Sequence, residues 1–256
     1  MSSDPLLGRF AWHELRTTDR AVAEGFYPRL LPWSTAPWED PSYQLWMSGD
    51  APVGGLMQLT DEMVQAGLPP AWVTFMATPD CDASAAKVTA LGGQVYQAPW
   101  DIPNIGRIAM VADPQGAEFG LYTPLEVDPG LDAAPVPGQF SWHELNTTDP
   151  AAALAFYPAL LGWDVMGDFD MGPMGTYHLL GYGGVHRIGI TPQPEGVPAP
   201  LWLPYAMVPD ADAAFATATA HGATTLVPPM EVPGGDRISV MLDPLGVMFA
   251  VHALKE

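Results

Sequence analysis

Apolar and polar residues alternate along FAWHELRT at 10–17, a pattern typical of a strand with one buried face. Asp19 follows and can cap a helix, in which Val22 and Phe26 recur at helical spacing. Pro28 falls inside this helical pattern, so we expect it to kink or shorten the helix. Further strands are predicted at YQLWM, VGGLMQL, WVTFMAT, RIAMVAD and AEFGLY, with a second helix, CDASAAKVTALGG, after WVTFMAT.

The chain carries this pattern twice. FSWHELNTTD at 140–149 repeats FAWHELRTTD, and Trp142 follows Trp12 by 130 positions. The same offset relates Asp113 to Asp243 near the end of each copy. A register kept over this length predicts two tandem modules, since the unit is too long for a solenoid repeat. The predicted boundaries are 1–125 for the first module, 126–137 for a linker rich in Pro, Asp and Ala, and 138–256 for the second module.

Composition and charge narrow the range of partners. The 256 residues are 48% hydrophobic and 15% charged, with a formal net charge of −20, which is typical of an acidic globular protein. Such a surface repels phosphate backbones and anionic lipids, so we expect neither nucleic-acid nor membrane partners. The sequence shows no signal-peptide pattern, no apolar run of membrane length and a single cysteine, Cys81. We expect a cytoplasmic protein with a small-molecule ligand, as a monomer or a homodimer.

An ordered set of motifs recurs in both copies. Each contains WHELxTTD, an FY pair, a following Trp, a glycine at the second helix end, and DPxG before the last strand. In this order the motifs resemble the vicinal oxygen chelate superfamily, which includes glyoxalase I, bleomycin resistance proteins and extradiol dioxygenases. The resemblance covers nearly the whole chain. It implies an α+β fold of two tandem βαβββ modules whose curved mixed sheets enclose a cavity.

The resemblance also implies where a divalent metal would bind. Family enzymes take ligands from the position seven before the helix-capping Asp and from the position seven after the Asp of DPxG. In this chain those positions hold Trp12, Trp142, Gly120 and Ala250. None of these residues has an imidazole, carboxylate or thiolate donor. We therefore predict that the standard metal site is missing and that the protein uses no cofactor.

Strand alternation identifies side chains that a displaced site would use. Glu14 and Glu144 share a strand face with Trp12 and Trp142. In the last strands, Glu118 shares a face with Gly120, and Met248 and His252 share a face with Ala250. Glu14, Glu144 and His252 are the candidate catalytic residues, as displaced ligands of a divalent metal or as acid–base groups. The alternative is that each carboxylate accepts hydrogen bonds from an indole, an amide or an arginine. His13 and His143 point the opposite way and are expected to be packing residues.

Tryptophans are the candidate contacts for a flat ligand. Trp12 and Trp142 can stack on an aromatic or apolar molecule, or they can fill the cavity. Trp72 and Trp202 follow Pro-rich loops and are expected to rim an opening. The loops WDIPNIG and MEVPGGD are expected to be its lids.

Arg107 and Arg237 are basic residues at equivalent places in the two modules. They can clamp an anionic group of a ligand, or they can pair with Glu14, Glu144 or Asp101. The ligand-binding candidates are therefore Trp12, Trp142, Trp72, Trp202, Glu14, Glu144, Arg107, Arg237, Glu118, Met248 and His252.

Three functions remain open from the sequence. The first is a metal-independent protein of the bleomycin-resistance type that binds a small aromatic or apolar molecule in a Trp-lined cavity. The second is an enzyme of the lyase, isomerase or dioxygenase type with a displaced metal or carboxylate acid–base site. The third is a structural or interaction protein whose cavity is filled. We favour the first, and the histidines outside WHEL, all in the second module, indicate that a single pocket would lie there.

Overall fold

A computed structural model describes residues 6–127 and 131–255. Residues 128–130 of the predicted linker, and the terminal residues 1–5 and 256 of the predicted modules, lie outside the described residues. The described part of the linker forms turns and irregular backbone. Within the described ranges, no helix is both long enough and apolar enough to cross a membrane.

The first module contains the order βαβββ twice. Its first half comprises β1 (Phe10–Thr17), α1 (Arg20–Phe26), β2 (Trp33–Pro37), β3 (Tyr43–Ser48) and β4 (Ala51–Gln58). The short helix α2 (Asp61–Gln65) leads to β5 (Ala71–Ala77), α3 (Cys81–Ala90), β6 (Gln94–Ile102), β7 (Gly106–Ala112) and β8 (Glu118–Pro124). Asp19 caps α1 by accepting the Val22 N–H at 3.2 Å, and Pro28 lies in the 3-10 turn that ends this helix, as predicted.

The second module repeats this order. Its elements are β9 (Phe140–Thr147), α4 (Pro150–Leu161), β10 (Asp164–Asp170), β11 (Thr176–Tyr182), β12 (Val185–Pro192), β13 (Leu201–Met207), α5 (Ala211–Ala220), β14 (Thr224–Glu231), β15 (Arg237–Leu242) and β16 (Met248–Ala253). Pro158, the counterpart of Pro28, lies inside α4, and this helix continues to Leu161.

The expected lid loops are shorter in the structure than the sequence predicted. Four of the seven residues of WDIPNIG belong to strands β6 and β7, whereas in MEVPGGD only Met230 and Glu231 belong to a strand, β14. Asp101 pairs with Arg107, and Glu231 pairs with Arg237, so only short turns remain at 103–105 and 232–236. Proline and glycine at the tip of each hairpin resemble a loop in sequence, although the flanking residues are paired.

Each module forms one eight-stranded mixed sheet. Sheet 1 has the order β2-β3-β4-β1-β5-β8-β7-β6, and sheet 2 has the order β10-β11-β12-β9-β13-β16-β15-β14. β1 is parallel to β4 and β5 to β8, whereas strands joined by hairpins are antiparallel. The same holds in sheet 2. Two mixed sheets with few helices confirm the predicted α+β fold of two tandem modules. The enclosed cavity stays a prediction.

The chain divides into two compact units, and the boundaries of these units differ from those of the two sheets. Unit 1 comprises Met1–Ala11, Thr74–Ala133 and His143–Trp202, and unit 2 comprises Trp12–Val73, Ala134–Trp142 and Leu203–Glu256. Each unit has its own apolar core. In unit 1, Phe119 and Leu121 share a core with Leu145 and Phe156. In unit 2, Leu15 and Leu56 share a core with Phe249 and Val251. Each core therefore combines half of one module with half of the other, while the predicted domain boundaries stay a prediction.

A hydrogen-bonded chain joins the two module halves inside unit 2. Trp72 Nε1 donates to the Tyr27 hydroxyl at 3.1 Å, and this hydroxyl donates to the Asp243 carboxylate at 3.1 Å. Asp243 also accepts the backbone N–H groups of Leu245 and Val247 in the DPLG turn. The FY pair of the first module therefore fastens the DPxG turn of the second.

The reciprocal chain lies inside unit 1. Trp202 Nε1 donates to the Tyr157 hydroxyl at 2.9 Å, and Tyr157 donates to Asp113 at 3.0 Å. Burial raises the pKa of Asp113, as it does that of Asp243. Several of the repeated motif residues are therefore the ones that join one module to the other.

Candidate functional site

Trp12 belongs to a hydrogen-bonded cluster in unit 2. Its indole Nε1 donates to the Tyr43 hydroxyl at 3.0 Å, and Tyr43 is hydrogen-bonded to the Glu14 carboxylate. Arg16 Nε lies 3.4 Å from Glu14 Oε1. Trp12 is half-buried, whereas Glu14 and Arg16 are buried. Alternation along β1 brings these three residues to one cluster, and Tyr43 joins them from β3.

Gly55 on β4 leaves room for the ring of Tyr43. A Cβ atom at this glycine would overlap the Tyr43 hydroxyl, so the ring lies directly against the backbone of β4. Burial, together with the negative charge of Glu14, raises the pKa of Tyr43 well above its usual value. Tyr43 therefore stays protonated and serves as a hydrogen-bond donor to Glu14.

A related cluster in unit 1 surrounds Glu144. The Tyr177 hydroxyl donates to Glu144 Oε2 at 3.0 Å, and Asn146 Nδ2 donates to Oε1 at 3.3 Å. Tyr177 lies against Gly189 as Tyr43 lies against Gly55. The two clusters differ two positions after the glutamate, where the first module has a cation, Arg16, and the second has a neutral amide, Asn146. The carboxylates thus accept hydrogen bonds, which is the alternative that the sequence left open.

The WHEL histidines are packing residues, as predicted. His13 stacks on Phe140 with ring centroids 3.9 Å apart, and His143 stacks on Phe10 at 3.4 Å. Both histidines are buried. Burial lowers the pKa of His13 to about 3, so this imidazole is neutral at pH 7.

Trp72 and Trp202 do not rim an opening, which corrects the expectation from their Pro-rich loops. They are 7% and 3% exposed and belong to the cores of unit 2 and unit 1. Each packs edge-on against a buried tyrosine, Tyr27 or Tyr157, and donates its indole N–H to that tyrosine. An indole with its donor satisfied and its faces packed is a core residue.

Arg107 and Arg237 form ion pairs with helix aspartates. Arg107 makes two bonds to Asp82, at 2.6 and 3.0 Å, and Arg237 makes two to Asp212, at 2.6 and 2.8 Å. Arg107 also pairs with Asp101 at 2.9 Å, which is one of the alternatives that the sequence left open. This pairing favours a structural role over the clamping of a ligand. Neither helix aspartate was expected from the sequence, although Asp82 lies at the start of α3 and Asp212 at the start of α5.

The remaining candidates lie on the last strand of each module. Glu118 and Met248 are half-buried at the starts of β8 and β16. His252 hydrogen-bonds to Ser141 at 2.8 Å and to Asp236 at 3.1 Å.

The positions implied for metal ligands hold no donor groups in the folded chain either. A Cβ atom at Gly120 would overlap the Phe75 ring, and Ala250 is buried. Among the residues that the structure describes, no group of three or more His, Cys, Asp or Glu is arranged to hold a metal ion. That the standard metal site is missing stays a prediction.

Sequence reasoning missed several members of the two clusters. Arg16 and Asn146 lie two positions after Glu14 and Glu144, so strand alternation was sufficient to place them. Tyr43 and Tyr177 were harder to relate, because they are 134 residues apart and not 130. The register between the modules slips in this region.

The sequence of this chain is similar to proteins of one known superfamily. A model of the Glyoxalase/Bleomycin resistance protein/Dioxygenase superfamily matches residues 139–251. The chain is 34% identical to the "Putative glyoxylase CFP32" of Mycobacterium bovis, over 94% of this chain and 92% of that protein. It is 31% identical to the "Anthracycline biosynthesis protein DnrV" of Streptomyces peucetius, over 97% and 94%. The chain therefore belongs to the glyoxalase/bleomycin resistance protein/dioxygenase superfamily.

Solved structures agree at the level of the fold. The Mn(II)-bound glyoxalase from Novosphingobium aromaticivorans matches with a TM-score of 0.64 and 18% identity, over 98% of this chain and 83% of that one. The 2,3-dioxygenase LapB from Pseudomonas sp. KL28 matches with a TM-score of 0.68 and 13% identity, over 98% and 94%. At these identities the likeness shows the shared fold alone.

Proposed function

We propose that this glyoxalase-like protein binds a small aromatic or apolar molecule against Trp12 and Trp142, without the standard metal site of its superfamily. The proposal depends on which residues stand at the positions that hold the metal ligands in enzymes of this superfamily. Indoles stand where donors from the first strands would be, and Gly120 and Ala250 stand where donors from the last strands would be. Large aromatic faces suit the stacking of a flat molecule.

The carboxylates beside the tryptophans support a binding role over acid–base chemistry. Glu14 is held by Tyr43 and Arg16, and Glu144 is held by Tyr177 and Asn146. These hydrogen bonds hold each carboxylate within its cluster. Both oxygens of Glu144 already accept side-chain hydrogen bonds, which favours a role in holding the cluster over a role in proton transfer.

The relatives suggest the class of ligand. One is named for anthracycline biosynthesis, and anthracyclines contain a flat anthraquinone ring system. Two half-buried tryptophans, one in each module, suit the face of such a ring system. We place the protein in the cytoplasm with a small-molecule partner, and with neither nucleic acid nor a membrane, because the chain is strongly acidic.

Tryptophan fluorescence tests the proposal, with alizarin, a dihydroxyanthraquinone, as the probe. Alizarin should quench the wild-type protein saturably, and free N-acetyltryptophanamide corrects for absorption by the dye. Trp142→Leu and Trp12→Leu should each weaken binding about fivefold or more, since an aromatic contact contributes about 1 kcal/mol beyond its buried area. Trp100→Leu is the matched control, because Trp100 is a half-buried tryptophan on the edge strand β6.

The outcomes separate binding from a filled interior. Saturable quenching that both cluster variants weaken and the control variant preserves would support the proposal. The absence of saturable quenching by alizarin and by a broad set of other aromatic compounds would overturn it in favour of a filled cavity.

An enzyme with displaced metal ligands is the alternative, favoured by the relative named as a glyoxylase and by candidate residues Glu14, Glu144 and His252. Metal analysis of protein purified without chelators distinguishes the two. Stoichiometric nickel, zinc, iron or manganese that is lost in Glu144→Ala would support the enzyme. We expect no such metal, and no turnover of the glutathione–methylglyoxal adduct, whose isomerisation requires a metal to stabilise the enediolate.

A further inference from the structure

The side chains of Ser141, His252 and Asp236 come from separate elements of unit 2 and form one hydrogen-bonded group. Ser141 lies near the start of β9, His252 lies near the end of β16, and Asp236 lies in the turn before β15. Ser141 Oγ is 2.8 Å from His252 Nδ1, and His252 Nε2 is 3.1 Å from Asp236 Oδ2. One imidazole therefore connects a hydroxyl group to a carboxylate.

Asp236 decides which imidazole nitrogen carries the proton. Burial opposes its ionisation, but hydrogen bonds from the Lys255 N–H and from His252 outweigh burial and hold the pKa of Asp236 below its usual value. An ionised carboxylate can only accept, so the neutral imidazole must carry its hydrogen on Nε2. Nδ1 is then the acceptor, and it faces the Ser141 hydroxyl. In this tautomer the Ser141 hydroxyl can donate its hydrogen bond to Nδ1.

The equivalent positions of the first module do not hold this set of side chains. The offset of 130 residues relates Ser141, Asp236 and His252 to Ala11, Gly106 and Tyr122. The Trp–Tyr–Asp chains and the Arg–Asp pairs, in contrast, recur in both modules. Tyr122 anchors the β6–β7 turn by donating to the Ile105 carbonyl at 3.2 Å, and His252 anchors the β14–β15 turn through Asp236. Holding the β14–β15 turn in place requires only His252 and Asp236, so the fold does not explain the hydrogen bond from Ser141 to His252.

The cluster is shielded but reaches the surface. Ser141 is 9% exposed, and the side chains of His252 and Asp236 are 12% and 34% exposed. The Ser141 hydroxyl has a second acceptor, the Tyr205 carbonyl, at the longer distance of 3.4 Å. Partial shielding strengthens the electrostatic coupling of the carboxylate to the imidazole relative to water.

We propose that Ser141, His252 and Asp236 form an acyl-transfer site for small carboxylic esters. Ser141 Oγ bonds to the ester carbonyl carbon while its proton passes to His252 Nδ1. The tetrahedral adduct then breaks its bond to the leaving oxygen, which takes the proton from His252 and departs as an alcohol. Water attacks the acyl-serine in the same manner, which releases the carboxylic acid and regenerates the serine.

Asp236 is a positioning residue in this scheme, because it keeps the hydrogen on Nε2 and stabilises the imidazolium that forms. Relative to the serine-protease arrangement, the two imidazole nitrogens have exchanged partners. Such sites recur on unrelated folds and are recognised by geometry and roles.

Acylation of the full-length protein by p-nitrophenyl acetate tests the proposal. Release of nitrophenolate should be accompanied by a gain of one acetyl group, located on Ser141 by peptide mass mapping. Ser141→Ala should lower the rate about 10²-fold or more, the size of a general-base contribution. Alanine occupies the equivalent position of the first module, so this variant should fold. Asp236→Asn should lower the rate and also shift its pH profile, which the loss of a mere turn anchor would not do.

A second His–Asp pair provides the matched control. His178 Nδ1 lies 2.6 Å from Asp168 Oδ1 on an exposed hairpin, so His178→Gln should leave the rate and the acetylated residue unchanged. Diisopropyl fluorophosphate gives a readout on the wild-type protein alone, because it should label Ser141 covalently. The proposal is overturned if the folded wild-type protein acquires no label on Ser141 from either reagent, or if Ser141→Ala retains the wild-type rate. Either result leaves the binding proposal untouched, since that rests on Trp12 and Trp142.

Discussion

At the scale of single residues, each glutamate of WHEL holds a tyrosine against a glycine. Tyr43 over Gly55 and Tyr177 over Gly189 have the same arrangement in the two modules. The hydroxyl of each ring is fixed by the carboxylate of Glu14 or Glu144. The carboxylate, the phenol and the missing Cβ therefore act together.

We predict that Gly55→Ala displaces Tyr43 and breaks its hydrogen bonds to Trp12 and Glu14. The added methyl group overlaps the phenol, and overpacking of this kind costs about 1–3 kcal/mol of unfolding free energy, measurable by urea denaturation. Gly25→Ala is the control, because a Cβ at this position in α1 meets no atom within 4 Å. It should raise stability by about 0.5–1 kcal/mol. Equal effects of the two substitutions would contradict the account.

The sequence predicted well which side chains of β1 share one face of the strand. Alternation along FAWHEL separated His13 from Glu14, and the structure packs His13 on Phe140 while Glu14 joins Trp12 and Tyr43. Phase cannot identify a partner from another strand, however. Tyr43 was missed because its place depends on the register of β3 against β4, which the sequence does not state.

At the scale of elements, the Trp–Tyr–Asp chains fasten the FY segment of one module to the DPxG turn of the other. We predict that Tyr27→Phe and Tyr157→Phe each lower the unfolding free energy by about 1–3 kcal/mol, because each removes the hydrogen-bond partner of a buried indole N–H and of one carboxylate oxygen, Oδ2 of Asp243 or Asp113. Tyr96→Phe is the control, since Tyr96 on β6 is 54% exposed. Thermal or urea unfolding measures all three. A cost for Tyr96→Phe as large as for the buried tyrosines would refute this role.

The same chains predict a pH dependence. Burial raises the pKa of Asp113 and Asp243, so the native state binds a proton at higher pH than the unfolded chain does. Their contribution to stability is therefore present at low pH and is lost as the pH rises through the raised values. The unfolding free energy of the wild type, minus that of Asp113→Asn, should increase from about pH 7 to about pH 4. A difference that shrinks over this range would show the opposite sign.

Elements at the sheet edges were the hardest to predict. β2 and β6 are the edge strands of sheet 1, and most of their residues are exposed. Such strands lack the apolar alternation that marks a half-buried strand. β1 and β5 are central in the sheet and much more buried, so their pattern was clear.

At the scale of the whole molecule, each sequence module builds a sheet but supplies only half of each core. We predict that fragments 1–133 and 134–256, expressed separately, show no cooperative thermal unfolding as monomers, because each lacks the partner half of both cores. Mixed together, they should form a one-to-one complex with a cooperative transition. A monomeric single fragment that melts near the temperature of the intact chain would contradict this prediction. The sequence repeat revealed the modules, but it carried no information on which halves pack together.

The central claim is that the chain binds an aromatic ligand without a metal, because indoles, glycine and alanine occupy the ligand positions of its superfamily. The most direct test is an alizarin titration of protein stripped with a chelator, followed by tryptophan fluorescence before and after addition of Mn2+. The account predicts saturable quenching with the same Kd in both conditions. Binding that disappears on stripping and returns with the metal would contradict it.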